Sequence, residues 1–187
     1  ENMRDKIGRY KDRDRYLSVS LDIVDEMNQI VLEILSLSSV QELAGDKEWI
    51  QLDQVLEQIL DQYKVLAQSR SLTIDNQIPA KPVYMDPAIL KLVLSNVISN
   101  AVKHSDAGGE IQLRLEEEGT HLAVENTSQE MVETAEMPMT ASRQKKEGGL
   151  GLFVVQHLLD HEELAYQFDK TAMGLRFRME LPKDPQE

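Results

Sequence analysis

The chain has 187 residues, of which 41% are hydrophobic, with a formal net charge of -13 at pH 7 and no cysteine. This length allows one full-sized domain with an appendage, or two small domains, and the hydrophobic content is enough for a packed core. The acidic balance argues against a nucleic-acid partner, and the lack of cysteine excludes disulfides and thiolate metal sites. No apolar run is long enough to span a bilayer, so no membrane contact is expected from this sequence.

Residues 1–45 are predicted to form a helical stem. Residues 1–16 are densely charged, and apolar residues then recur at helical spacing from Tyr16 to Ser39. The apolar stripe is wider than a lone surface helix needs, which favours packing against other helices in a bundle or coiled coil. A helix packed on its own domain is the alternative. The break at Ala44–Asp46 divides the stem from a second domain over residues 46–187.

The first half of the second domain mixes helices with short strands. A helix is predicted from Leu52 to about Ser69, after a short segment that is either a strand or a lead-in. Strands are predicted over residues 71–78 and 83–85. A further helix is predicted over residues 89–105, because Asp86 can act as its N-cap and Pro87 suits its first position.

The second half begins with a hairpin, whose predicted strands cover residues 110–116 and 121–125. Residues 126–147 lack a useful period and are predicted to form a long loop. A helix then runs from the glycine run at 148–151 to about His161, and two strands follow over residues 164–168 and 173–181. This order of elements predicts an α+β fold, a two-layer α/β sandwich with a mixed sheet and a layer of helices.

The helix over residues 89–105 carries the first candidate site. Its helical spacing places Asn96, Asn100 and Lys103 on one arc and an apolar set on the opposite arc. Amide oxygens can ligate a hard cation, and an ammonium can contact phosphate, so the polar arc suits a nucleotide with magnesium. His104 could stack on a base or cap the helix. Two asparagines at this spacing are common by chance as surface amides, so the helix alone is weak evidence.

Three further features are each weak evidence for a nucleotide site when taken alone. The glycine run at residues 148–151 precedes a helix, where backbone N–H groups attract anions, but such runs also form ordinary turns. Asn126 follows a predicted strand and could read the exocyclic amine of a purine, or it could be a plain loop residue. Arg143, Lys145 and Lys146 could close over a polyphosphate, although short charge runs are more often solvated.

The order and spacing of these features resemble those of sensor histidine kinases. LKLVLSNVISNAVKHS looks like the N box of that family, GGLGLFVVQHL looks like its G2 box, and VENTSQEM stands in the place of its G1 box. DEMNQIVLEILSLS resembles the second helix of the dimerisation and phosphotransfer domain. The vancomycin-resistance sensor kinases are the branch that the sequence resembles in particular.

This resemblance implies a fold of the Bergerat (histidine kinase-like ATPase) type, with ATP and Mg²⁺ as cofactors. It gives Asn100 the metal role, gives Asn96 and Lys103 contacts near the phosphates, and places His104 beside the adenine. The other cofactor-binding positions that it implies are Asn126 at the base, Arg143 on a lid formed by the long loop, and Gly149, Leu150 and Gly151 in the phosphate-binding turn.

The sequence also departs from the family pattern. Asn126 replaces the usual adenine-binding aspartate, and an amide can still accept a hydrogen bond but brings no charge. Ser128 and Glu130 replace two glycines, where a positive φ would cost energy, and Glu147 replaces a third. Weaker or lid-dependent ATP binding is therefore expected.

The phosphoacceptor histidine of the family is missing. Of the four histidines, His161 mimics the His–Glu dipeptide, but no proline follows at the required place. The chain is therefore expected to be a truncated kinase core from the cytoplasmic portion of a membrane-anchored sensor, unable to autophosphorylate. It would supply the ATP γ-phosphate to a histidine outside this sequence, for relay to the receiver domain of a response regulator, within a homodimer formed through the stem.

Two alternatives stay open. The G1 departures favour a degenerate module that binds partners without catalysis and biases them towards dephosphorylation. A chaperone-type or mismatch-repair-type ATPase of the same fold is the other, and the stem-like helix argues against it.

Overall fold

The computed structural model describes residues 45–128 and 150–183, so all of the predicted stem over residues 1–45 except its last residue lies outside the described residues. The described part contains seven strands and three α-helices. In chain order they are β1 (Glu48–Gln51), α1 (Leu52–Ser69), β2 (Thr73–Asn76), β3 (Pro82–Met85), α2 (Pro87–His104), β4 (Glu110–Glu116), β5 (His121–Thr127), α3 (Leu150–His161), β6 (Tyr166–Lys170) and β7 (Gly174–Glu180).

The main sheet has five strands in the order β2–β4–β5–β7–β6. β2 and β4 pair in parallel, and the other neighbours are antiparallel. β1 and β3 form a separate antiparallel pair. The central strand is β5, where Val124 lies opposite Leu113 of β4 and Phe177 of β7.

The hydrophobic core lies between one face of the main sheet and the helices. Leu113, Val124 and Phe177 are buried from the sheet side, and Leu94 and Ile98 of α2 are fully buried from the helix side. Removing these side chains from water is the main driving force for joining the two layers. The predicted two-layer α+β sandwich is confirmed. Within the two described ranges, none of the helices has the length and apolar character needed to cross a membrane.

α2 begins where the sequence predicts. Asp86 is the N-cap, and its Oδ1 accepts hydrogen bonds from the backbone N–H groups of Ala88 (2.7 Å) and Ile89 (3.2 Å). Pro87 follows at the first helical position, where its missing N–H costs nothing. The Oδ2 of Asp86 also accepts from the backbone N–H of Gly45, so one buried carboxylate joins the start of α2 to the segment that precedes β1.

The other end of α2 is held by Arg70, which follows α1. Its Nη1 donates to the Lys103 carbonyl and its Nη2 to the Ser105 carbonyl, both at 2.6 Å. These carbonyls lie at the negative end of the helix dipole, where a cation is stabilising. The backbone N–H of Asp106 then donates to the Thr127 carbonyl at 2.9 Å. The end of α2 is therefore fixed to both α1 and β5.

Replacing Arg70 with alanine should lower the free energy of unfolding by about 1–2 kcal/mol, because two charged hydrogen bonds to the end of α2 are lost. Urea denaturation followed by circular dichroism measures this change. Arg70→Lys keeps the charge but cannot make the two hydrogen bonds of the bidentate guanidinium, so it should recover only part of the lost stability. An unchanged midpoint in Arg70→Ala would show that these bonds do not stabilise the helix end.

Candidate functional site

The predicted division of α2 into two arcs is visible in the burial of its side chains. The five predicted core positions are all 5% exposed or less; they are Leu90, Leu94, Val97, Ile98 and Ala101. Lys103 and His104 are exposed, whereas Asn96 and Asn100 are half-buried. The Nδ2 of Asn96 donates to the Leu92 carbonyl one turn earlier, at 2.8 Å, so this amide is already partly satisfied within the helix.

Two buried amide groups in the described ranges lack a hydrogen-bond partner. They are the Nδ2 atoms of Asn100 on α2 and Asn126 on β5. Leaving a buried donor unpaired costs roughly 1–3 kcal/mol, so native proteins rarely keep such groups without a reason. A bound ligand that accepts hydrogen bonds is one such reason.

Asn126 lies within β5 rather than at the start of a loop. The predicted strand end at Glu125 is wrong, because pairing with β4 and β7 continues through Asn126 to Thr127. Alternation along the strand places Asn126 on the same face as Leu122 and Val124, which belong to the core beneath the helices. Only 5% of Asn126 is exposed.

α2 and β5 are brought together at their ends. α2 packs against β5, and the bond from Asp106 to Thr127 joins the residues that follow α2 to the last residue of the strand. Asn100 is on the last two turns of α2, and Asn126 precedes Thr127. The two unpaired amides therefore belong to the same end of the sandwich, where the sequence predicts a nucleotide site.

Gly174 on β7 shapes this end of the sheet, and sequence reasoning missed it. It pairs with Thr127, and a Cβ atom at position 174 would lie 2.2 Å from the Asn126 carbonyl oxygen and 2.5 Å from the Ser128 nitrogen. No real Cβ contact is that short, so only glycine lets β5 and β7 approach here. A lone glycine at the start of a strand pattern is the signal that could have revealed it.

Strain was expected at Ser128 if it had to adopt the positive φ that suits glycine. This expectation is wrong for Ser128, which is not one of the described non-glycine residues with positive φ; those are Ser71, Glu117, Glu118 and Glu163. Ser128 is buried, and its N–H donates to the Met173 carbonyl at 3.2 Å. The serine is accommodated by the chain that precedes β7.

The glycine run is only partly described. Gly151 is buried in the first turn of α3, and Leu150 is the first residue of that helix. Gly149 and Arg143 lie outside the described residues, as does most of the predicted loop. Their roles stay predictions.

The opposite face of the sheet carries a network of charged side chains around Glu125. Glu125 is buried, and its Oε2 accepts from Nη2 of Arg114 at 2.9 Å. Burial acts to raise the pKa of Glu125, but hydrogen bonds from Thr171 and Arg114, together with the charges of Arg114 and Arg176, outweigh it and lower the pKa. Because this network faces away from the helices, we assign it to stability rather than to ligand binding.

Since its pKa is lowered in the folded protein, ionised Glu125 stabilises the fold at pH values above the ordinary glutamate pKa. That stabilisation should be lost as the pH falls through the folded-state value. Urea unfolding at a series of pH values from about 7 down to 3 should show a weaker pH dependence in Glu125→Gln than in the wild type. Glu57→Gln, at an exposed position on α1, is the matched control. Identical slopes in Glu125→Gln and the wild type would contradict the assignment.

Metal binding at this end cannot rely on a carboxylate or imidazole cluster within residues 45–128 and 150–183. No group of three or more His, Cys, Asp or Glu side chains there is arranged to hold a metal ion. A hard divalent cation would depend on an amide oxygen, on water and on oxygens of the ligand itself, which is a common arrangement for Mg²⁺ with nucleotides.

The chain is similar to known proteins over most of its length. Residues 85–185 match the family described as histidine kinase-, DNA gyrase B- and HSP90-like ATPase. The sensor histidine protein kinase HK06 of Streptococcus pneumoniae is 33% identical over 97% of this chain and 42% of its own length. Sensor protein VanSB of Enterococcus faecalis is 30% identical over 97% of this chain and 44% of its own length. The chain thus spans less than half the length of these relatives.

A solved structure supports the same fold. The histidine kinase ThkA, in complex with the response regulator protein TrrA, has a TM-score of 0.67 and 18% identity, covering 100% of this chain and 56% of that chain. At this identity the likeness concerns the fold alone. From the family match, the relatives and the fold together, the chain belongs to the histidine kinase-, DNA gyrase B- and HSP90-like ATPase family and is homologous to the sensor histidine kinases.

Proposed function

We propose that this chain is the ATP-binding core of a sensor histidine kinase and that it binds MgATP between α2 and the end of β5. The observation that carries the proposal is the pair of buried, unpaired amides of Asn100 and Asn126, on two elements joined at the same end. The membership in an ATPase family gives these amides a ligand of suitable chemistry, since a nucleotide offers acceptors on its phosphates and its base.

The residues present fit a magnesium nucleotide. An asparagine side chain offers a neutral oxygen for the metal and a donor for a phosphate oxygen, so Asn100 would hold Mg²⁺ through Oδ1 while Nδ2 gains its missing acceptor. When bound, Mg²⁺ offsets the negative charge of the phosphates. Asn96 and Lys103 lie one turn away on either side and would orient the phosphate chain.

The base would lie near the end of β5. Asn126 is aligned there by β4 and β7, and the exposed ring of His104 at the end of α2 would flank the base. At the start of α3, Gly151 has no side chain to keep the phosphates from the helix backbone. These chain residues bind and orient the nucleotide, which matters because phosphoryl transfer depends mainly on positioning and charge.

The remaining parts of the proposed activity involve segments and partners beyond the described residues. The γ-phosphate would pass to a histidine outside this sequence and then to the aspartate of a receiver domain. The names of HK06 and VanSB as sensors and the complex of ThkA with a response regulator support this part. We further propose a domain boundary near residue 45, dimerisation through residues 1–45, and a location on the cytoplasmic side of a membrane-anchored sensor.

Isothermal titration calorimetry with a non-hydrolysable ATP analogue, with and without Mg²⁺, tests the proposal. Binding in the micromolar to low millimolar range that strengthens with Mg²⁺ is expected. If no binding is detectable at millimolar nucleotide, the degenerate non-catalytic module becomes the better interpretation, since the changes at Asn126 and Ser128 are what motivate it.

A further inference from the structure

α2 ends at Ser105 rather than at a glycine. The backbone of Ser105 is extended, with φ of −69° and ψ of 146°, so the chain leaves the helix without a left-handed cap residue. The N–H and the hydroxyl of Ser105 both donate to the Ala101 carbonyl, at 3.1 and 2.5 Å. The carbonyl of Lys103, nearer the end, needs a donor from elsewhere, because the last carbonyls of a helix have no partner within it.

The guanidinium of Arg70 supplies that donor. Its two hydrogen bonds, both at 2.6 Å, go to the carbonyls of Lys103 and Ser105, which lie on either side of His104. The carbonyl of Arg70 also accepts from the backbone N–H of Gly108 at 2.9 Å, in the turn that follows α2. This backbone bond does not need the side chain. A substitution of Arg70 therefore removes the cap but keeps a connection between the end of α1 and that turn.

The capped turn carries two of the side chains that we assign to the nucleotide. Lys103 and His104 are exposed and are the last two residues of α2, whereas Asn100 lies earlier in the helix. An uncapped helix end is ordered for only part of the time, and both side chains lose their places whenever the last turn unwinds. The affinity of a ligand falls in proportion to the fraction of time for which its site is formed. The cap on α2 therefore affects binding.

We propose that Arg70 is a positioning residue of the nucleotide site, which holds Lys103 and His104 in place by capping α2 from the end of α1. This inference rests on the proposed nucleotide site between α2 and β5. Arg70→Ala should weaken binding of the ATP analogue with Mg²⁺ by about 5- to 20-fold, because two charged hydrogen bonds that keep the turn formed are lost. Arg70→Lys cannot make both bonds, so its affinity should lie between those of the wild type and Arg70→Ala.

Titration calorimetry of the whole chain tests the proposal, at a temperature where circular dichroism shows each variant to be folded. Arg114→Ala is the matched control. Arg114 also makes charged hydrogen bonds, to Glu116 at 3.1 Å and to Glu125 at 2.9 Å, but on the face of the sheet that is turned away from the helices. Its loss should leave the affinity within about twofold of the wild type. If Arg70→Ala does not fold, Arg70→Lys replaces it in every comparison, with smaller effects in the same direction.

Two further measurements distinguish positioning from a general loss of stability. In the free protein, Arg70→Ala should speed hydrogen exchange at the N–H groups of residues 103–105 more than at Leu94 in the middle of α2, and Arg114→Ala should not. In a Lys103→Ala background, Arg70→Ala should reduce the affinity by a smaller factor than it does in the wild type. The reason is that one of the two contacts that Arg70 supports is already absent there.

The outcomes separate this proposal from the one on which it rests. Wild-type affinity in Arg70→Ala, or an equal loss of affinity in Arg114→Ala, would overturn the inference and leave the nucleotide site intact. The same factor in both backgrounds would overturn it too, since Arg70 would then not act through Lys103. Unchanged exchange at residues 103–105 would show that the turn stays formed without the guanidinium, which is also contrary to the proposal. If the wild type binds no nucleotide, the site itself is refuted, and this inference with it.

Discussion

Replacing Asn100 with alanine is expected to abolish Mg²⁺-dependent nucleotide binding while leaving the free protein as stable as the wild type, or slightly more stable. Asn100 is half-buried on α2, and its Nδ2 is buried without a partner. Removing an unsatisfied buried donor relieves a cost of roughly 1–3 kcal/mol, which offsets the packing that the shorter side chain loses. A residue kept for stability would show the opposite pattern.

Two measurements on the same samples test this expectation. Urea denaturation gives the free energy of unfolding, and calorimetry with the ATP analogue and Mg²⁺ gives the affinity. Asn76→Ala is the matched control, since Asn76 is an exposed asparagine at the end of β2 whose Oδ1 accepts from the Ile78 N–H. It should leave nucleotide affinity unchanged. Wild-type affinity in Asn100→Ala would remove the metal role that we propose.

Gly174→Ala is expected to damage both the fold and the site. The added methyl group would lie 2.2 Å from the Asn126 carbonyl oxygen, so β5 and β7 must move apart. We expect this to lower the free energy of unfolding by about 2–3 kcal/mol. Because the displaced backbone is that of Asn126, nucleotide affinity should fall by at least about tenfold even under conditions where the variant is fully folded. Thermal unfolding and calorimetry at low temperature measure the two effects.

Gly119→Ala controls for backbone strain in this experiment. Gly119 has a φ of 89°, which disfavours alanine, but its Cβ would meet only ordinary contacts at 3.9 Å, and it lies in the turn between β4 and β5 at the far end of the sheet. This variant should lose about 1 kcal/mol of stability and keep its affinity. If both variants lose the same stability and neither loses affinity, the contact at Gly174 does not position Asn126.

The elements of the fold could be predicted because their signals are local. Asp86 and Pro87 mark a helix start by hydrogen bonding and ring geometry within a few residues, and the structure places α2 at Pro87. The strands β4 and β5 alternate apolar and polar residues and were predicted nearly to their ends. No single motif justified the resemblance to sensor histidine kinases, which rested on the order of the motifs along the chain. The family match confirmed that resemblance.

The features that could not be predicted from the sequence depend on contacts between residues distant in sequence. Arg70 caps α2 across 33 and 35 residues of chain, and nothing near Arg70 in the sequence marks that role. The extension of β5 to Thr127 is caused by pairing with β7, which lies about 50 residues later. The periodicity of β5 alone could not predict that the strand continues to Thr127. The same holds for Gly174, whose importance appears only when its neighbour strand is known.

The alternation along β5 has a consequence for how this sequence can change over time. Glu125 and Asn126 are adjacent in the chain, yet one sits among arginines on the outer face and the other beneath the helices. A substitution at either position alters one face alone. A single-residue insertion or deletion in β5 would exchange the faces, placing a carboxylate in the interior and an amide among unpaired guanidinium groups. Lineages carrying this strand should therefore accumulate substitutions within it but confine length changes to its hairpin turn at residues 117–120.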